Sequence, residues 1–194
     1  MTNRAKQQSG GGRSGIAAVV VSACAVVVMC AFIFVMSAFD ADDSTKLSMG
    51  VVWHIIGFIV PGYDQMSLTE QLYWQQTLDH PVRKTAHFLE YAVLGALMLN
   101  LVVRVARLCG GAGDSKASAS SPVPKLVIIA WALATAYAVT DEIHQMFVPG
   151  RSCELGDMLL DSVGVLVGVV LLALMFAKHN TDVTRRFTDA SPKS

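Results

Sequence analysis

The chain has 194 residues, 53% of them hydrophobic and 15% charged, and its formal net charge is zero. A soluble domain carries about 25% charged residues, so this depletion, with a mean hydropathy of +0.49, argues against an ordinary soluble domain and for a membrane protein. Cys24, Cys30, Cys109 and Cys153 form no CxxC pair and no metal-ligand spacing, so they carry no redox or metal argument.

Residues 16–39 contain no charge and are long enough to cross about 30 Å of hydrocarbon. Arg4, Lys6 and Arg13 ahead of this run are also what a signal peptide carries, and Val21-Ser22-Ala23-Cys24 has the form of a lipoprotein cleavage box. The apolar run continues well past Cys24, however, and favours an uncleaved anchor as the first of four spans.

Residues 40–82 follow as a polar segment with an apolar insert. The stretch 51–60, with Trp53 and His54, is too short to span and ends at Pro61-Gly62, so it reads as a re-entrant or interfacial piece. Ser67-Leu68-Thr69-Glu70 has the form of a capping box for a short helix ending near Pro81. Tyr73 and Trp74 on that helix suit the bilayer surface.

The second span, 85–103, is apolar except for His87, Glu90 and Asn100. A Gly/Ser/Ala-rich linker within 105–125 leads to Pro122 and Pro124, which suit the start of the third span, 126–147. The fourth, 155–177, carries Asp157 and Asp161 near its start, and a polar tail, 178–194, follows. The expected fold is therefore an all-α integral membrane protein: a small bundle of four transmembrane helices with a short re-entrant or interfacial segment between the first two.

Basic residues set the expected direction. With residues 1–15 inside, the inner segments hold Arg4, Lys6, Arg13, Arg104, Arg107, Lys116, Lys125, Lys178, Arg185, Arg186 and Lys193. The outer segments keep only Lys46, Arg83, Lys84 and Arg151. Positive loops stay inside, so both termini are expected in the cytoplasm. The ionisable ends of spans two, three and four then face outward from a multi-pass membrane protein.

At about 1.5 Å of rise per residue, Glu90, Asp141 and Asp161 each lie roughly 9–10 Å inside their span's outer end. His87, Glu90 and Tyr91 are neighbours on one helix, as are Asp157 and Asp161. Asp157, Asp161, Gly164 and Gly168 share a face of span four. Ala130, Ala134 and Ala138 lead to Asp141 and Glu142, while Ala132, Ala136 and Thr140 lead to His144. Small residues at such spacing let membrane helices approach closely. A charge at the bilayer centre costs about 2.5–3.5 kcal/mol by insertion scales, so these side chains are expected to face one another. The candidate polar cluster is His87, Glu90, Tyr91, Asp141, Glu142, His144, Gln145, Asp157 and Asp161, whether as a site or as interhelical glue.

Its chemistry stays open. His87-x-x-Glu90 and Asp141-x-x-His144 are imidazole–carboxylate pairs at the spacing that helical bundles use for metals. No cofactor is expected, although a divalent metal at His87, Glu90, Asp141 and His144 is conceivable. Without one, the acids could pass protons or act as acid and base. Lys84, or Arg151 in the Pro149-Gly150-Arg151 turn, could hold a phosphate; Arg151 could equally pair with Asp157 or snorkel to water. No GxSxG occurs, and Ser152 and Cys153 have no evident partner, which disfavours a nucleophilic hydrolase.

The stretches "RKTAHFLEYAVLGALM" (83–98) and "TDEIHQMFVPGRSCELGDMLLDSVGVLVG" (140–168) resemble the VanZ-like family of bacterial membrane proteins. Arg83-Lys84 with His87, Tyr91 and Leu94-Gly95 carry the first block. Asp141-Glu142-x-His144-Gln145-x-Phe147, Pro149-Gly150-Arg151, Asp157, Asp161 and Gly164 carry the second. The resemblance covers roughly 83–175. It implies a link to glycopeptide tolerance, particularly to teicoplanin, and implies no particular reaction. Two readings follow: an envelope protein that binds or displaces an amphiphile, or a membrane-embedded enzyme acting on a lipid or lipid-linked envelope intermediate. Expected partners are the lipid bilayer and lipid-linked intermediates or a lipoglycopeptide, with no nucleic acid. A transporter is disfavoured, because four spans without an internal repeat offer no alternating-access machinery.

Overall fold

The computed structural model describes residues 2–38, 56–58, 60–110, 124–149 and 154–189, with side chains excepted at 2–13, 79, 180 and 182–189. Four long helices account for nearly all of it: α1 (Thr2–Ala38), α2 (Leu68–Cys109), α3 (Pro124–Gln145) and α4 (Leu155–Asp189). Each contains a stretch long and apolar enough to cross a membrane: Ser14–Ala38, Leu68–Cys109, Pro124–Gln145 and Leu155–His179. Among the described residues there is no strand.

The helices run longer than the apolar runs that seed them. α1 continues through the polar residues before 14, and α4 continues well past 177. The largest departure from expectation is in α2. Its start is as expected: Ser67 N donates to Glu70 Oε2 (2.9 Å) and Glu70 N donates to Ser67 Oγ (3.4 Å), which completes the capping box. No separate helix ends near Pro81, however, and one helix of 42 residues runs through that proline. At 1.5 Å per residue it is about 63 Å long, roughly twice the hydrocarbon thickness.

Proline inside a helix removes a single backbone donor and adds a clash, together about 3 kcal/mol. Here, tertiary packing outweighs that penalty. Ile56, Val60 and Tyr63 are buried against Trp74, Leu78 and Val82, on both sides of the proline in sequence. Met66 joins the same cluster, and Gln75 Nε2 donates to the Tyr63 hydroxyl (2.9 Å). The described part of the expected re-entrant segment therefore packs against the first third of α2, through the 3-10 turn Tyr63–Gln65, rather than into the bundle. Trp53 and His54 lie outside the described residues.

The bundle core is built from Val26 and Ile33 of α1, Tyr91, Leu94, Leu99 and Val103 of α2, Ala130, Ala134 and Ala138 of α3, and Val165 and Val169 of α4. The most extensive interface is α2 against α4, and glycine permits it. A Cβ on Gly95 would sit 2.4 Å from the Val165 carbonyl oxygen, one on Gly164 2.6 Å from that of Phe88, and one on Gly168 1.7 Å from that of Ala92. Backbone touches backbone at three successive levels. Of the two alanine stripes expected on α3, only Ala130, Ala134 and Ala138 turn inward; Ala132, Ala136 and Thr140 are exposed. The reason is geometric: stripes offset by two helical residues lie about 200° apart at 3.6 residues per turn, so one helix cannot bury both against the same neighbours.

Polar hooks fasten α1 at several depths. Asn100 Nδ2 donates to Ser22 Oγ (3.1 Å), and the Tyr137 hydroxyl donates to the Cys30 carbonyl (2.6 Å). At its far end Ser37 Oγ donates to Asp141 Oδ2 (2.7 Å).

Candidate functional site

Asp141 lies one helical turn before the end of α3 and is 3% exposed. A buried carboxylate needs donors, and here they come from three helices. Besides Ser37 of α1, the Tyr91 hydroxyl of α2 donates to Asp141 Oδ2 at 2.9 Å, and Gln145 Nε2 of α3 does so at 3.3 Å. Gln145 Nε2 also reaches Ser37 Oγ at 3.4 Å. All three donors converge on the same oxygen. The other oxygen, Oδ1, is buried and accepts no hydrogen bond among the described residues.

Around this centre lie further carboxylates. Glu90 of α2 has its Oε2 buried without a hydrogen bond and 3.5 Å from His87 Nδ1, the i, i+3 pair expected from the sequence. Asp161 of α4 is 4% exposed, and Glu142, Asp141, Asp157 and Glu90 all lie within Coulombic reach of it. His144 stands partly apart: its ring packs on Phe34 of α1, with centroids 4.4 Å apart, and its Nδ1 makes no hydrogen bond among the described residues.

Two members of the cluster are occupied elsewhere. Glu142 is 2% exposed and accepts the backbone N–H of Glu154 (2.8 Å), so it ties the end of α3 to the residue that precedes α4. A carboxylate at a helix N-terminus satisfies free N–H groups and complements the helix dipole. Asp157 pairs with Lys84, whose Nζ also lies 3.8 Å from Glu154 Oε2. The cation beside Asp157 is therefore Lys84. Arg151, expected as a possible partner, falls with Ser152 and Cys153 outside the described residues.

Ser37 was missed from the sequence. It lay inside a run read as a plain anchor, and its only signal was a lone hydroxyl near the end of that run. As for metals, no group of three or more His, Cys, Asp or Glu among the described residues is arranged to hold an ion. His87 and Glu90 approach each other, whereas Asp141 is held by hydroxyl and amide donors and His144 packs against an aromatic ring.

Four apolar helices of spanning length around a buried polar centre point to a multi-pass helical membrane protein. More particularly, the chain belongs to the VanZ/LLP1 family, whose model matches residues 22–176. That match extends beyond the two blocks that carry the resemblance and takes in the C-terminal part of α1 from Ser22 on, including Ser37. No curated protein and no solved structure matches the chain.

Proposed function

We propose that this protein sits in the plasma membrane of a bacterium with both termini in the cytoplasm and engages an amphiphile of the cell envelope through a polar site open to the outer side. The observation that carries this reading is Asp141: a buried carboxylate held by Ser37, Tyr91 and Gln145 from three helices, with one oxygen left without a donor. Interhelical glue gains most when both oxygens are satisfied, because an unmet buried acceptor costs about 1–3 kcal/mol. A half-satisfied carboxylate near the end of a bundle is what a binding site keeps for its ligand.

Membership of the VanZ/LLP1 family supports an envelope role, with tolerance to glycopeptides and lipoglycopeptides such as teicoplanin as the phenotype to examine. In a deletion strain complemented with the gene, Glu90→Gln and Asp141→Asn should abolish the tolerance while the protein still accumulates in the membrane. Full activity of both variants would reduce the cluster to glue. A second reading, acid–base chemistry on a lipid-linked intermediate, draws on the His87–Glu90 pair. It requires turnover of such a lipid by the purified protein.

A further inference from the structure

We infer that the group completing this site is a primary ammonium, accepted by Asp141 Oδ1 and Glu90 Oε2; this rests on the proposal that the cluster binds an amphiphile. The sign of the charge comes first. Glu90, Asp141, Glu142 and Asp157 all lie within electrostatic reach of Asp161 toward one end of the bundle, and Lys84 is already engaged by Asp157 and Glu154. A phosphate would meet repulsion here, and Lys84 would have to leave its partners to hold one.

Second, among the described residues the buried side-chain atoms without a hydrogen bond are two carboxylate oxygens, Asp141 Oδ1 and Glu90 Oε2, and the Nδ1 atoms of His87 and His144. Ser37, Tyr91 and Gln145 saturate Asp141 Oδ2 and leave Oδ1 without a donor, on a side chain that is 3% exposed. Glu90 Oε2, from a second helix, is also buried without a hydrogen bond, with His87 Nδ1 3.5 Å away. A partner that completes these two oxygens must therefore bring N–H or O–H groups. A divalent metal fits less well, since it needs three or more ligands converging at about 2 Å, and no such set exists among the described residues. An ammonium carries three divergent donors and can satisfy separated acceptors without that convergence. Ser37 and Gln145, the residues beside the carboxylate, lie at the last turns of α1 and α3, which places it near one end of the bundle.

The full-length protein in phosphatidylcholine nanodiscs tests this with four probes of one chain length: dodecylamine, dodecyltrimethylammonium, dodecanol and dodecyl phosphate. Dodecylamine should raise the unfolding temperature saturably and bind at least about ten-fold tighter than the other three, the yield of one charge-assisted hydrogen bond. Equal binding of the trimethyl analogue, which has the charge but no N–H donor, would overturn the inference. So would preference for the phosphate. Asp141→Asn should remove the dodecylamine preference; if that variant does not fold, the probe series on the unaltered protein decides alone.

Competition arms separate two sources of the amine, phosphatidylethanolamine in the disc and an acylated lysine peptide from solution. Displacement of dodecylamine by either supports an amphiphilic amine and identifies its source, and failure of both would overturn it. Loss of tolerance in the Glu90→Gln and Asp141→Asn strains, combined with no amine preference in vitro, would leave the site standing and refute only this ligand class.

Discussion

At the scale of single residues, the protein turns on how one carboxylate is held. Three donors on Asp141 Oδ2 fix the side chain's rotamer and choose which oxygen stays bare. Ser37 is the informative one to change, because it is small, buried, and the only described tie from α1 to this centre that ends on the carboxylate. Ser37→Ala should lower unfolding stability in detergent by about 1–3 kcal/mol, as expected for a buried hydrogen bond to a charged acceptor. Ser37→Thr, which keeps the hydroxyl, should recover most of it. Tyr91→Phe should behave like Ser37→Ala, because its ring stays in the core and only the hydroxyl is lost. Unfolding midpoints of the four proteins check this, and equal stability of all four would show that the carboxylate does not depend on these donors.

Among elements, the α2–α4 contact is the most extensive, and it brings Glu90 within electrostatic reach of Asp161. Gly95, Gly164 and Gly168 bring the two backbones together, and each added Cβ would collide with a carbonyl oxygen of the other helix. Gly164→Leu should reduce folded protein strongly, by more than the 1–3 kcal/mol typical of overpacking, because backbone rather than a flexible side chain is in the way. Leu171→Val, at an exposed position of the same helix, should be close to neutral. Equal melting temperatures of the two variants would contradict the packing. The glycine face of α4 was legible in the sequence because GxxxG spacing has one physical use in an apolar helix. The continuity of α2 through Pro81 was not. A proline reads locally as a stop, and the contacts of Ile56, Val60 and Tyr63 that override it come from residues outside the helix. Ser37 escaped for the same reason: its partner Asp141 is 104 positions away.

At the scale of the whole molecule, the four long apolar helices and the family were legible from composition and motif, because apolar length is a one-dimensional signal. Which acid was free and which was occupied was not, since that depends on partners brought together by folding, as with Glu142 on the Glu154 N–H and Asp157 on Lys84. Direction is the remaining global property, and it rests on where the basic residues fall. Lys125 opens α3 at one end of the bundle, Arg104 and Arg107 close α2 there, and Lys178 lies toward the same end of α4. The carboxylates sit at the other end. From the bias of Lys and Arg toward the cytoplasmic side, the cluster is expected on the outer face. In intact cells, with Cys24, Cys30 and Cys109 replaced by serine, Cys153 should react with a membrane-impermeant thiol reagent. A cysteine introduced as Lys116→Cys in a background that also lacks Cys153 should react only after the cells are opened. Labelling of position 116 in sealed cells, with Cys153 protected, would invert the protein and turn the carboxylates toward the cytoplasm, where no added glycopeptide could reach them.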